Sequence, residues 1–445
     1  MADFASIRDT KAIKMSTAQD MDYRRALMKI TLILGPIFAL AYILNFADKV
    51  NVGIAKVRMA RDFHFTDGDF ALGMGIYFLG YSLFNVPSAL WIQKSGPRFG
   101  LARTMITWGL IAALTTFVST IYEFSVLRFF LGVAEAGFLP GLALYLQKCY
   151  PQQMHGTVMS VMISGALLSG IIVGPFSAFI MQELHGVGHL QDWQWLFFVE
   201  GAPTIFLGVL LYCILRNQPS DLSFLSYSEQ RALRNAHFIA QELPAQEAGG
   251  NFFRTLFSRS VWILSFDMLA LNIGVYSIIL SLPDLIAKNS TSNLWGIGFL
   301  SSSPYVLGLV FLPVIGYLSD LFKSHAGFIF YCGIIGSFSL FISTFFKFNI
   351  YLALPCMAIA ASLFMAATPL IWSLGGQGDD DRSSSIVVAT INTISQLGGF
   401  IGPYLVGRSL DLSHDSSYGF RVISVIVFIA STLVIRLHRP RPASI

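Results

Sequence analysis

Six ionisable side chains stand inside long apolar runs: Asp48 and Lys49, Arg128 and Glu135, Glu200, and Asp267. On insertion scales an Asp, Lys or Arg at the centre of a membrane helix costs about 2.5–3.5 kcal/mol, so those that persist are candidates for function and need partners. Their types point to two linked chemistries. A desolvated carboxylate holds its proton more tightly, and a cation brought close loosens that hold. A desolvated cation is costly until an anion pairs with it. A site holding both can take a proton as it takes an anion. Arg128 and Glu135 are two helical turns apart, so they project from one helix face at depths about 10 Å apart. Asp48 and Lys49 are adjacent and point about 100° apart, so they serve different partners. In the empty protein, Glu135 or Asp48 is the expected counter-ion of Arg128. The structural alternative is a set of ion pairs locking two helices together. Glu200 reads as a brace, and Asp267 as either a second proton site or a polar packing contact.

A second group of polar residues sits in the same kind of surroundings: Asn45, Tyr77, Tyr81, Asn85, Ser164, Asn272, Tyr276, Asn392 and Gln396. Amide and phenol groups can bond the hydroxyl and carboxylate oxygens of a small solute. Each alone reads more readily as an interhelical contact. The strongest ligand pair is Asn392 with Gln396, one turn apart beside Gly398 and Gly399.

Positioning these groups takes a membrane scaffold. The chain has 445 residues, 54% hydrophobic and 12% charged, about half the charged share of a soluble domain. Twelve apolar stretches are long enough to span a bilayer: 29–52, 70–92, 101–120, 125–147, 157–180, 195–214, 262–283, 297–319, 327–346, 350–374, 385–407 and 420–437. The runs are continuous rather than alternating, so the spans are helices and not barrel strands. The first 28 residues are polar and the first apolar run is too long for a signal peptide. With the N-terminus inside, Lys and Arg number 20 on its side and 8 on the other, which places both termini in the cytoplasm. The expected layout is a 1–28 cytoplasmic segment, a six-helix bundle at 29–214 and a second at 259–437. A cytoplasmic loop at 215–258 joins them, and 438–445 is a cytoplasmic tail. The loop core, Leu225-Ser-Tyr-Ser-Glu-Gln-Arg-Ala-Leu233, reads as a short amphipathic helix capped by Ser226 or Ser228.

The two bundles look like a duplication. Pro87 near the end of span two and Pro313 near the end of span eight are 226 residues apart. The Gly-Pro pairs ending at Pro175 in span five and Pro403 in span eleven are 228 apart. Two matches in register argue for a six-plus-six repeat, an arrangement that packs two halves around a midplane site. Cys149, Cys213, Cys332 and Cys356 have no paired spacing and read as buried hydrophobes. His185 and His189 with Glu183, and the acidic run 379–381, are discounted as metal or cation sites. No Walker loop, haem motif or nucleophile elbow occurs, and the small net charge of +4 does not suggest nucleic acid.

Motif by motif the chain resembles the major facilitator superfamily, and within it the anion:cation symporter family. The stretches that carry the resemblance are Tyr42-Ile-Leu-Asn-Phe-Ala-Asp-Lys-Val-Asn51, Gly80-Tyr-Ser-Leu-Phe-Asn-Val-Pro-Ser88 and Leu127-Arg-Phe-Phe-Leu-Gly-Val-Ala-Glu-Ala-Gly-Phe-Leu-Pro-Gly141. Two more are Trp193-Gln-Trp-Leu-Phe-Phe-Val-Glu-Gly201 and Ile391-Asn-Thr-Ile-Ser-Gln-Leu-Gly-Gly-Phe-Ile-Gly-Pro403. The resemblance implies that Asp48 and Glu135 carry protons and that Arg128 engages the anion. Lys49 stands where arginine is common, keeping the charge but losing the two-pronged geometry. The loop after span two, with Lys94, Gly96, Arg98 and Arg103, is similar to the superfamily's cytoplasmic gating motif, but Gln93 replaces its usual aspartate. The resemblance thus implies an all-α membrane protein that imports a small organic anion (a sugar acid, or a hydroxy- or aromatic carboxylate) together with protons. It would act as a monomer in a bacterial inner membrane, without cofactor or nucleic acid, and not as an enzyme. The alternatives are a proton-coupled drug or metabolite exporter of the same fold and a transporter-derived receptor without turnover.

Overall fold

The computed structural model describes residues 17–63, 65–242, 258–346, 349–375 and 381–435. Outside these residues fall the 438–445 tail, much of the central loop, Asp379 and Asp380, and the basic residues Arg8, Lys11, Lys14, Arg254, Lys347, Arg436, Arg439 and Arg441. The side chains of Arg61, Ser164 and Arg382 are outside the description too.

Among the described residues all regular structure is helical, because a chain in hydrocarbon must satisfy its backbone bonds within each segment. The first six crossings are α1 (Thr17–Phe63), α2 (Asp67–Ser95), α3 (Pro97–Leu114), a broken span of α4 (Ile121–Glu135) and α5 (Phe138–Cys149), α6 (Gln152–Glu183) and α7 (Asp192–Ile214). Helix α8 (Tyr227–Glu242) follows in the central segment. The second six are α9 (Arg259–Asn289), the pair α10 (Leu294–Ser301) and α11 (Ser303–Leu321), α12 (His325–Ser343), α13 (Ile350–Gly375), the pair α14 (Asp381–Gln396) and α15 (Gly398–Ser413), and α16 (Ser417–Val434). Ten of these crossings are apolar and long enough to span a membrane on length and composition alone. The other two are α3, which is short and carries Arg98 and Arg103, and α14–α15, whose first half is polar.

Helix starts follow their caps. Thr66 and Asp69 form a reciprocal capping box at α2, and Thr120, Ser258 and Asn293 each accept a backbone N–H at α4, α9 and α10. Such a cap contributes about 1 kcal/mol. Several helices overrun the apolar stretches that announce them. Span one extends from 29–52 to Thr17–Phe63, span three shifts from 101–120 to Pro97–Leu114 plus a short 3-10 turn, and span eleven breaks at Leu397. Hydropathy marks the hydrocarbon-facing stretch, whereas helical hydrogen bonding continues into polar ends.

Buried side chains form two cores. One gathers Phe38, Trp108, Phe124, Phe138, Tyr145 and Trp193 from the first six crossings; the other gathers Leu271, Ile278, Phe364 and Val427 from the second six. Leu280 joins the first core, and Ala47, Val50, Leu167 and Val173 join the second, so the halves meet along α1, α6 and α9. The perimeter shows Leu83, Phe206, Tyr317 and Phe338, each mostly exposed, the apolar belt expected against lipid. Two close crossings position the charged residues. A Cβ at Gly132 would overlap the Tyr77 carbonyl, so α4 lies directly on α2. At Gly201 a Cβ would lie 2.6 Å from the Gly109 carbonyl and the Ala113 nitrogen, so α7 lies as closely on α3.

Candidate functional site

Glu135 is the hub. It is the last residue of α4, before the Ala136–Gly137 break, and is fully buried. Its Oε2 accepts from Lys49 Nζ at 2.8 Å, Asn45 Nδ2 at 2.8 Å and the Tyr77 hydroxyl at 2.5 Å, while Oε1 has no partner. Asn45 and Lys49 are one turn apart on α1, so both reach the same carboxylate. The Lys49 ammonium also donates to the Asn45 carbonyl and to Asn45 Oδ1, each at 2.9 Å. It stands 5.6 Å from the Tyr77 ring centroid and 5.5 Å from that of Tyr81, within cation–π range.

Arg128 and Asp48 form the other side. The Arg128 guanidinium donates to the Asp48 backbone carbonyl at 3.1 Å and lies 4.9 Å from the Tyr77 ring centroid, and its Nε has no partner. Among the described residues no carboxylate oxygen comes within 4.0 Å of it. This corrects the expected pairing: Glu135 is held by Lys49, and Arg128 is left without an ion pair. The two helical turns between Arg128 and Glu135 put them at different levels, and Lys49 is level with Glu135. The Asp48 carboxylate accepts from Trp108 Nε1. Glu200, 5% exposed and with Oε2 unpartnered, lies within electrostatic reach of Asp48 and Arg128.

Other sequence candidates divide. Tyr276 reaches the cluster from the second half, its ring 4.5 Å from Phe78 and within electrostatic reach of Glu135 and Tyr42. Asn272 donates to the Ser395 carbonyl at 3.1 Å, joining α9 to α14. Asn392 and Gln396 are half-buried on α14, and Asn85 bonds the Ala136 carbonyl at 3.5 Å. Asp267 lies apart: Ser431 donates to its Oδ1 at 2.8 Å, so it joins α9 to α16 as a packing contact. Sequence reasoning missed Tyr42, Trp108 and the place of Glu200 in the cluster. The tryptophan had a usable signal, since an indole N–H buried in apolar surroundings needs an acceptor.

The comparisons with known proteins agree with this architecture. The profile described as Major Facilitator Superfamily matches residues 38–403. The chain belongs to that superfamily. It is 32% identical over 409 residues to "Putative metabolite transport protein NicT" of Pseudomonas putida, covering 92% of this chain and 93% of that one. It is 31% identical over 420 residues to a "Putative tartrate transporter" of Agrobacterium vitis, with 94% and 96% covered. It is also 28% identical over 408 residues to a "Quinolone resistance transporter" of Acinetobacter baumannii, covering 92% of this chain and 94% of that one. The crystal structure of a bacterial homolog of the human lysosomal transporter Spinster, inward-facing and occupied, superposes with a TM-score of 0.74 at 16% identity, over 95% of this chain and 99% of that one. Fold and relatives are those of multi-pass membrane transporters of small molecules, not of enzymes.

Viewed as a major facilitator fold, the two ends of the molecule differ. At the end away from α8, Lys56 of α1 bonds Asp67 of α2 and pairs with Asp284 of α9 at 2.8 Å. Lys288 pairs with Asp67 at 3.2 Å and Asp284 at 3.1 Å, and the Gly68 N–H donates to Asp411 at 3.1 Å. This network ties the two halves together, and the gap left in the seam is about 10 Å³, no more than one water needs. At the other end the turn between α2 and α3 bonds α7 and the segment just after it. Arg98 donates to the Tyr212 carbonyl at 2.8 Å and its backbone N–H to Asn217 at 3.2 Å, while Arg103 stacks 3.7 Å from the Trp91 ring centroid. Gly96 adopts φ 86°, which favours glycine, and Lys94 is exposed. Helix α8 docks on α1 through Lys29 and Glu229 at 2.9 Å, with Ser226 as the cap. Burial acts to raise the Glu229 pKa, but the Lys29 and Ser226 bonds outweigh it and hold the carboxyl below its ordinary value. A cleft of about 430 Å³ between α2 and α4, lined by Leu72, Ile76, Phe129 and Phe130 with Asp69 among them, is mainly apolar and includes none of the residues around Glu135 and Arg128.

Proposed function

We propose that this protein is a secondary active transporter that imports a small organic anion by proton symport through alternating access. The observation that carries the reading is Arg128: 1% exposed, with no carboxylate oxygen within 4.0 Å among the described residues, above the ring of Tyr77, whose hydroxyl bonds Glu135. A buried cation left this way is costly, and a substrate carboxylate would supply the missing partner in a two-pronged bond. The name of the tartrate transporter among the relatives supports a carboxylate substrate.

In this reading Lys49 is the coupling element. While Glu135 is ionised it holds Lys49, so the substrate meets Arg128 alone. A proton on Glu135 weakens that hold and turns Lys49 towards the anion, so proton and substrate favour one another. Asp48, held by Trp108 beside Arg128, is the second proton carrier. Tyr81, Asn45 and Tyr276 line the anion's hydroxyl and carboxylate oxygens, with Asn272, Asn392 and Gln396 on the facing half. The cluster is closed in this structure, with Lys49 at 8% the most exposed of its charged members. Access therefore requires the bundles 29–214 and 259–437 to rock apart, with 215–258 as the tether. The positive-inside bias supports cytoplasmic ends in a bacterial inner membrane and places the Lys56–Asp284 network outside. Lys94, Gly96, Arg98 and Arg103 then form the inner gate, and the working unit is a monomer.

A second reading, proton-coupled drug export, is favoured by the name of the quinolone resistance relative. Flux assays in proteoliposomes separate the two. Symport predicts accumulation of tartrate or another hydroxy- or aromatic carboxylate when the outside is acidic. Drug–proton exchange predicts expulsion of a fluoroquinolone and no carboxylate uptake.

A further inference from the structure

Glu200 is a buried acid that the mechanism above leaves without a task. It sits one residue before Gly201, where α7 crosses α3 at contact distance. Trp108 sits one residue before Gly109 at the same crossing. The backbones thus bring Glu200 level with the indole that holds Asp48, and its Oε2 remains without a partner.

The charge count around this point is uneven. Helix α1 contributes Asp48 and Lys49, α4 contributes Arg128 and Glu135, and α7 contributes Glu200. The facing Tyr42, Tyr77, Tyr81 and Tyr276 from α1, α2 and α9 are neutral phenols, and α3 adds no charge there. Fully ionised, the cluster holds three negative and two positive charges, a net of −1, and no charged member exceeds 8% exposure. A buried excess charge is removed by proton binding at lower cost than it is borne. Lys49 is committed to Glu135, so the excess falls on Asp48 and Glu200, which share one cation, Arg128. Trp108 donates to the Asp48 carboxylate, whereas among the described residues nothing donates to Glu200 Oε2.

We propose that Glu200 holds a resident proton that keeps the empty site neutral and does not turn over with substrate. The consequence for transport rests on the anion–proton reading above. A monoanion then brings one further proton while the resident proton is in place. At alkaline pH, where that proton has been lost, binding must recruit two.

The test uses purified full-length protein, with the empty carrier and with tartrate as the probe. Thermal unfolding of the empty wild type across pH 5 to 10 should show a fall in Tm as the resident proton leaves, since the folded state alone holds it there. Glu200→Gln, which mimics the protonated acid, should lack that fall, and Glu200→Asp should restore it. This arm needs no substrate. In the second arm, the slope of log Kd for tartrate against pH should be steeper by one at the alkaline end in the wild type than in Glu200→Gln. A Glu200→Gln protein that keeps the wild-type fall in Tm overturns the proposal. So does a folded Glu200→Gln protein that fails to bind tartrate at every pH while the wild type binds it. Failure of the wild type to bind tartrate and other carboxylates refutes the transport reading instead and leaves the first arm to decide on Glu200.

Discussion

Glu135→Gln isolates the coupling step. One carboxylate oxygen takes three bonds, from Lys49, Asn45 and Tyr77. A hydrogen bond to a charged group contributes about 1.5–3 kcal/mol against about 0.5–1.5 for a neutral one. Losing the charge across three bonds should therefore cost the empty protein about 3 kcal/mol, in line with the range for breaking a buried pair. Lys49 keeps its bonds to the Asn45 carbonyl and Oδ1, so it stays in place and turns to the substrate. A bound anion should offset the loss, since a ligand at 100 times its Kd stabilises by about 2.7 kcal/mol. Carboxylate-induced thermal shifts should therefore be larger in Glu135→Gln than in the wild type at alkaline pH, and should depend less steeply on pH. In proteoliposomes, counterflow exchange should survive while accumulation driven by a pH gradient fails. Undiminished gradient-driven accumulation would show that Glu135 is a structural brace and refute the reasoning.

Four further outcomes are expected. Arg128→Lys keeps the charge but loses the two-pronged geometry, so carboxylate affinity should fall at least tenfold in a thermal-shift titration, and Arg128→Ala should abolish binding. Asp284→Asn removes one anchor of the network joining the halves at Lys56 and Lys288, so a cysteine placed at Ser281 should react faster with a membrane-impermeant maleimide; an unchanged rate would show that the network does not hold that end closed. The docking of α8 should depend on acid. Because the folded Glu229 pKa lies below its unfolded value of about 4.3, its contribution is complete above that pH and is lost as pH falls through the folded value. Amide exchange in α8 should rise there in the wild type, and Glu229→Gln should raise it already at neutral pH. Asp267→Asn should leave proton-driven uptake intact, because Asp267 bonds Ser431 away from the cluster.

Much of this arrangement is legible in the chain because membranes make charge rare. Asp48, Lys49, Arg128 and Glu135 stand out against apolar neighbours, and the Pro87/Pro313 and Pro175/Pro403 offsets mark the duplication before any coordinate is known. Partner choice was not legible. One-turn spacing on α1 brings Asn45 and Lys49 to the same oxygen, but which cation meets Glu135 depends on the level at which α1 meets α4. The Gly132–Tyr77 contact fixes only the level of Glu135 against α2, where the Tyr77 hydroxyl meets it. Glu200 was hidden for a similar reason, since its place beside Asp48 comes from the Gly109–Gly201 crossing rather than from its own surroundings in sequence. The latch through Asp284 was hidden because Lys56 and Asp284 are 228 residues apart, and each alone reads as an ordinary charge at a helix end.

The central claim is that an anion and protons move together. Proteoliposomes containing the purified protein, loaded at neutral pH and diluted into acidic, sodium-free buffer with radiolabelled tartrate or related hydroxy- and aromatic carboxylates, test it most directly. The account predicts transient accumulation of at least one of these anions above equilibrium, abolished by a protonophore and absent without the pH difference. Accumulation that follows a sodium gradient and ignores pH would contradict it.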